Sequence, residues 1–151
     1  MDSVKTFWKL GAILALVFGV LACHEGPRTR PYGYIKIGKI ADLRQPETRF
    51  LDLRLIVRYD QKGFSAMSTE CTYDLAPLKA KEKDGREILY SDFSDSTYDL
   101  SGKVLTGPSK YDLPYYRLEF GQESYQGTYD TLYVAVGDEK SPDWRLAIPR
   151  N

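Results

Sequence analysis

Turn signals recur at short intervals after residue 32, and their spacing most constrains the fold. Asp60–Gly63, Asp84-Gly85 and Ser101-Gly102 each separate two short segments rich in β-branched and aromatic residues. No segment here carries a strong helical period, whereas several alternate as half-buried strands do. The pattern predicts an all-β domain, an antiparallel β-sandwich or small barrel. The predicted strands are 32–40, 54–60, 64–69, 115–120, 130–137 and 144–149, with hairpins over 78–90 and 97–105.

The charge balance of the chain excludes one class of partner. The chain has 151 residues, and its 21 Lys and Arg residues balance 21 Asp and Glu residues, so the formal net charge is zero. No broad basic field is available to attract nucleic acid. Hydrophobic residues make up 42% of the chain, which is enough for the core of one domain.

The first 22 residues have the features of an export signal. Lys5 and Lys9 precede an apolar run over 10–22, and its 13 residues are too few to span a bilayer comfortably. The run ends in Val20-Leu21-Ala22-Cys23, which resembles the lipobox of bacterial lipoproteins. That resemblance implies that residues 1–22 form a lipoprotein signal peptide and that Cys23 becomes the lipid anchor.

Residues 23–31 are predicted to form a polar tether between this anchor and a domain over residues 32–151. The anchor implies a bacterial membrane lipoprotein outside the cytoplasm, on the periplasmic side. His24, directly after the cysteine, favours the outer membrane. The domain itself keeps one thiol, Cys71, so no disulfide can form within it.

Two polar segments interrupt the pattern of strands. They are 71–77, "CTYDLAP", and 91–96, "SDFSDS". Each follows a predicted strand, and a single hairpin separates them. We therefore expect the two loops to meet at one end of the domain.

The residues in and after these loops resemble those of a Rieske iron–sulfur domain. The first stretch is "CTYDLAPL", 71–78, and the second is "STYDLSGKVLTGPSKYDLPYY", 96–116. The two stretches stand in the family's order with one hairpin between them, and the resemblance covers about residues 34–120. It implies a β domain whose two loops form the tip that binds a [2Fe–2S] cluster.

The positions of the cluster ligands depart from the family pattern. A Rieske cluster takes two thiolates and two imidazoles. The resemblance places the thiolates at Cys71 and Ser91. It places the imidazoles at Tyr73 and Ser94. Only Cys71 keeps its ligand, so the degenerate tip is expected to hold no cluster and no other cofactor.

Further positions follow from the same resemblance. The two cysteines of the family's supporting disulfide correspond to Ala76 and Phe93. Ser96 and Tyr98 match hydroxyl groups that hydrogen-bond the cluster in the family, and here we expect them to bond each other, Cys71 or backbone. The rings of Tyr73 and Phe93 are expected to fill the space of the missing cluster.

These features predict a non-catalytic binding or structural protein, anchored to a membrane through Cys23. Its partner would be another extracytoplasmic or membrane protein, with a membrane redox or electron-transfer complex as the setting that the family implies. No set of nucleophile and base indicates an enzyme, because no histidine lies within the domain to activate Cys71.

Three alternatives stay open. The first is electron transfer through a retained [2Fe–2S] cluster, as the family implies. The second is a Ca²⁺ site at the loop tips, for which the oxygen donors would be Asp74, Asp92, Asp95, Ser91 and Ser94. The third is thiol chemistry at Cys71, either oxidation or pairing with another protein.

A tyrosine-rich stretch over 119–144 has two possible roles: it binds partners or sugars, or it packs against the sheet.

Overall fold

The structure, a computed structural model, describes residues 33–122 and 127–148. These residues contain ten β-strands, and all neighbouring strands are antiparallel. The expected signal peptide over residues 1–22, the lipid-anchor residue Cys23 and the tether lie outside the described residues. The strands are, in chain order, β1 (Gly33–Lys39), β2 (Thr48–Phe50), β3 (Leu55–Asp60), β4 (Gly63–Ser68), β5 (Lys79–Lys83), β6 (Arg86–Tyr90), β7 (Thr97–Tyr98), β8 (Val104–Thr106), β9 (Tyr115–Gly121) and β10 (Thr131–Lys140).

The strands form two sheets, which confirms the predicted all-β fold class. The larger sheet has six strands in the order β1-β10-β9-β4-β3-β2 and curls into a half-barrel. The smaller sheet has four strands in the order β5-β6-β7-β8, so the fully exposed strand β5 forms one of its edges. Within the described residues, no helix is long and apolar enough to cross a membrane.

The turn-rich pattern located most of the strands. Both predicted hairpins are confirmed as β5–β6 and β7–β8, and five of the six single strands correspond to β1, β3, β4, β9 and β10. The sequence missed β2, because a strand of three residues is too short to show alternation.

The predicted strand over 144–149 is wrong in the part that the structure describes. Leu146 forms an isolated bridge with Phe64 through backbone hydrogen bonds of 3.0 and 2.8 Å. β9 already pairs with β4 at Ala66 and Met67, so only the first residues of β4 are open on that side. The segment therefore contributes partly buried side chains to the core instead of a strand.

Two hydrophobic cores meet at strands β3 and β4. Leu55 and Val57 of β3 belong to the core inside the curled sheet, whereas Ile56 between them belongs to the core shared with the small sheet. Phe64 and Met67 of β4 divide in the same way. Because alternate side chains of a strand point to opposite faces, both strands are covered on both sides. This arrangement fixes where the chain leaves β4 and enters the first polar loop.

We expect Gly63→Ala to destabilise the domain by about 3 kcal/mol or more. Gly63 has φ +130°, and an added Cβ would overlap the Leu146 carbonyl group. Gly85→Ala is the matched control, because φ is +73° there and nothing lies within 4 Å of the added Cβ. The control should lower the free energy of unfolding by only about 1–2 kcal/mol, because it adds backbone strain but no overlap. Urea unfolding measures both, and equal losses would contradict the close packing at Gly63.

Candidate functional site

The two polar loops meet beside the small sheet, as the sequence predicts. The first loop (69–78) joins β4 to β5, and the second loop (91–96) joins β6 to β7. The Ser91 hydroxyl donates a hydrogen bond of 2.9 Å to Asp74 Oδ2. Cys71 Sγ lies 3.6 Å from Ser94 Oγ, which is within range of a weak sulfur hydrogen bond. Side chains of both loops thus form one site.

Both loops are closed by the same backbone hydrogen bond. In the first loop the Cys71 N–H donates to the Ala76 carbonyl at 2.9 Å. In the second loop the Ser91 N–H donates to the Ser96 carbonyl, also at 2.9 Å. Each bond joins a residue to the one five positions later. Main-chain atoms therefore close each loop, and side chains support the closure, because Asp74 accepts the Ala76 N–H at 2.8 Å and Ser91 Oγ accepts the Phe93 N–H at 3.1 Å.

Cys71 lies at the centre of the site with no exposed surface. Its sulfur is 3.5 Å from the hydroxyl group of Tyr98, a residue that is also completely buried. Burial raises the pKa of Tyr98, and the hydrogen bond to Cys71 raises it further, so the phenol stays protonated at neutral pH. The expected contact between Tyr98 and Cys71 is therefore present, and the neutral phenol of Tyr98 is the hydrogen-bond donor.

A network of hydroxyl groups surrounds Tyr98. The Tyr98 oxygen accepts the Thr72 N–H at 3.1 Å and lies 2.6 Å from Ser109 Oγ. Thr72 Oγ1 lies 2.5 Å from Ser109 Oγ and donates to the Tyr111 carbonyl at 2.8 Å. The sequence had not singled out Thr72, Ser109 or Tyr111. The available signal was the run of hydroxyl side chains within the two stretches that resemble the Rieske family.

Ser96 connects the same network to the second loop. Its Oγ accepts hydrogen bonds from the Ser94 hydroxyl at 3.0 Å and from the Ser109 N–H at 3.2 Å. Ser96 is fully buried, and it bonds backbone as expected but forms no hydrogen bond with Tyr98. The segment after β8 is therefore tied to both loops.

Asp74 links the two loops electrostatically. Burial raises the pKa of Asp74, but hydrogen bonds from Ser94, the Ala76 N–H and Ser91 outweigh that effect and lower the pKa below its ordinary value. Asp92 instead points outward and forms an ion pair with Lys79. Across residues 33–122 and 127–148, no three His, Cys, Asp or Glu side chains gather closely enough to hold a metal ion.

The expectation that Tyr73 and Phe93 fill an interior space is wrong. Tyr73 is 50% exposed and Phe93 is 81% exposed, because each projects outward from its closed loop. Leu75, at 38% exposure, lies with Tyr73 on the first loop. We call Tyr73, Leu75 and Phe93 the apolar tip. The buried side chains of the two loops instead include Cys71, Thr72, Ser91 and Ser96.

An ion pair fixes the base of the first loop. Glu70 is only 6% exposed, and its carboxylate pairs with Arg54 in the turn before β3. The Arg54 guanidinium also donates a hydrogen bond of 3.3 Å to the Leu75 carbonyl. The turn before β3 therefore also holds the first loop in place.

Comparisons with known proteins do not assign the chain to a family. No protein-family model matches it, and no curated protein matches it. The correspondence of individual residues to cluster ligands, disulfide cysteines and cluster-bonding hydroxyl groups of the Rieske family therefore stays a prediction. The residues concerned are Cys71, Tyr73, Ala76, Ser91, Phe93, Ser94, Ser96 and Tyr98.

We expect Tyr98→Phe to destabilise the domain by about 1–3 kcal/mol, because the Thr72 N–H and the Ser109 hydroxyl lose a buried partner. Tyr129→Phe is the control: Tyr129 is 68% exposed, and its change should stay within about 0.5 kcal/mol. Urea unfolding followed by far-UV circular dichroism measures both variants. Equal shifts in the two variants would mean that the network contributes nothing to stability.

Proposed function

We propose that the chain is a lipid-anchored, extracytoplasmic Rieske-like module that holds no iron–sulfur cluster and acts as a non-catalytic binding subunit. One observation carries the proposal: the side chains at the ligand positions bond protein groups or face solvent. Cys71 contacts Tyr98 and Ser94, and Ser91 donates to Asp74. Two loops that meet beside one hairpin support the likeness to the family, and the lipobox at Cys23 supports the anchor.

The donor set does not fit a [2Fe–2S] cluster. Such a cluster in this family needs two thiolates on one iron and two imidazoles on the other. Cys71 is the one thiol that the sequence places in the domain, and the one histidine of the chain is His24. Serine hydroxyls and a neutral tyrosine are poor substitutes for these ligands. Electron transfer through a cluster held by this chain alone is therefore not part of the proposal.

We assign the binding role to the apolar tip. Large side chains that are 81% and 50% exposed, on adjacent loops, are typical of interaction sites. Leu75 in the first loop and Asp95 in the second adopt left-handed backbone conformations, with φ +59° and +56°. For Leu75 this costs about 1–2 kcal/mol, whereas an aspartate such as Asp95 adopts the conformation more readily. This cost favours a functional reason for the way these loops present their side chains.

The charges around the tip define its partner further. Asp92 and Asp95 are exposed on either side of Phe93, and Asp92 alone is paired, with Lys79. A complementary surface would offer an apolar socket with a basic rim. We therefore propose a protein partner of that chemistry, located at the membrane or in the same compartment.

Metal analysis tests the absence of a cluster. The full chain, isolated from membranes of cells supplied with iron, is expected to contain neither iron nor acid-labile sulfide. The triple variant Tyr73→His, Ser91→Cys, Ser94→His restores the family's ligands. It should gain about two irons and two sulfides per chain and the electron paramagnetic resonance signal of a reduced [2Fe–2S] cluster. The double variant that lacks Ser91→Cys is the matched control and should gain neither.

Two results would contradict this proposal in different ways. Stoichiometric iron and sulfide in the unchanged chain would disprove the cluster-free module and restore electron transfer as the leading function. A folded triple variant that binds no iron would instead argue against the Rieske-like geometry of the two loops.

Site-specific cross-linking tests the binding role. A photoreactive amino acid at Phe93 should yield an adduct with a protein in intact cells, and high salt should reduce that yield because of the charged rim. The control is the same amino acid at Tyr129, which is 68% exposed in the connection before β10. Equal adducts at the two positions, or none at position 93, would argue against the apolar tip as an interface.

A further inference from the structure

A cleft of about 380 Å³ opens on the small sheet. It lies between the turn of the β5–β6 hairpin and strand β8. Its walls combine two cations, two hydroxyl groups and two aliphatic side chains, which are Lys83, Arg86, Thr97, Thr106, Ile88 and Leu105. None of these residues takes part in the hydroxyl network around Cys71.

Strand register explains why most of these side chains share one face, and Leu105 joins them because it is the extra residue at the irregular pairing of β7 with β8. Lys83 pairs with Arg86 across the hairpin, and Thr97 pairs with Thr106. Leu89 and Tyr98, which alternate with these residues, point into the core shared with the large sheet. The cleft is therefore the outer face of the same strands whose inner face supports the loops.

The two cations of the cleft are available to a ligand. Within the part of the chain that the structure describes, neither Lys83 nor Arg86 forms an ion pair or a side-chain hydrogen bond. Two other cations of the domain are already in ion pairs: Lys79 pairs with Asp92, and Arg49 pairs with two glutamates. Asp84 is the one carboxylate that lines the cleft. Two cations and one carboxylate leave one net positive charge.

The floor of the cleft offers a hydrogen-bond donor. Thr97 and Thr106 are hydrogen-bonded through their hydroxyl oxygens at 2.7 Å, and one proton makes that bond. The second hydroxyl proton has no acceptor among the described residues. Either oxygen can be the donor in that bond, so the remaining proton lies on the buried Thr97 or on the exposed Thr106, and both residues line the cleft.

We propose that this cleft binds the singly charged head group of an amphiphile. Lys83, Arg86 and the threonine hydroxyl would contact a carboxylate or phosphodiester, because charge-assisted hydrogen bonds are the strongest that such groups accept. Leu105, which is 49% exposed, and Ile88 would contact the alkyl part. A few convergent polar groups beside apolar walls are typical of small-ligand sites. This site is independent of the binding role of the apolar tip.

Titration calorimetry of the full chain in a non-ionic detergent tests the site. Sodium octanoate represents a free carboxylate amphiphile, and dihexanoyl phosphatidylglycerol represents a phosphodiester lipid. At least one should bind saturably with one site per chain. Acetate, which lacks the alkyl part, and dihexanoyl phosphatidylcholine, which has no net charge, should bind at least about tenfold more weakly. The tighter of the two anionic probes identifies the source of the ligand.

Matched charge variants make the test specific. The double variant Lys83→Gln, Arg86→Gln should weaken binding by about tenfold or more, since each charged hydrogen bond contributes that order of affinity. The double variant Lys39→Gln, Lys62→Gln removes two exposed cations, one at the end of β1 and one in the turn between β3 and β4, and should change binding less than about twofold. Equal weakening in both variants, or no saturable binding of either anionic probe, would overturn the proposal. Circular dichroism checks that both variants fold.

Discussion

Strands β3 and β4 are covered on both faces, and the rest of the domain depends on that double burial. Leu55 and Phe64 face the core of the curled sheet, whereas Ile56 and Met67 face the core beneath the small sheet. A slip of one residue in either strand would exchange the side chains of the two cores. The register of this pair therefore fixes the position of the small sheet, and with it the place where the two polar loops meet.

The loops themselves are held by two independent sets of bonds. The closing backbone hydrogen bond in each loop sets its shape, whereas Tyr98, Thr72 and Ser109 hold the loops together from inside. Tyr73 and Phe93 project outward from these closed loops, so their side chains can change with little effect on the loop backbone, whereas Asp74 and Ser91 hydrogen-bond that backbone.

The sequence predicted the fold class, most strands and the meeting of the two loops, because turn residues and alternation are local signals. It misjudged 144–149, where the β character of the residues is real but the neighbouring strand was already paired. It also placed Tyr73 and Phe93 inside, because the direction of a side chain in a closed loop depends on backbone turns that composition does not reveal. Thr72 and Ser109 are far apart in sequence, so only the folded chain shows that they share Tyr98.

The exposed edge of the small sheet has a consequence for how the protein behaves at high concentration. An edge strand leaves one row of backbone groups unpaired and so invites another chain to add to the sheet, and β5 is an edge strand. The chain has no net charge, so molecules are not kept apart by overall repulsion. Lys79, Lys81 and Lys83 alternate along β5, and because Lys79 is paired with Asp92, Lys81 and Lys83 supply the positive charge of this strand. The protection against fibrous self-association is therefore local, and it depends on a strand of five residues.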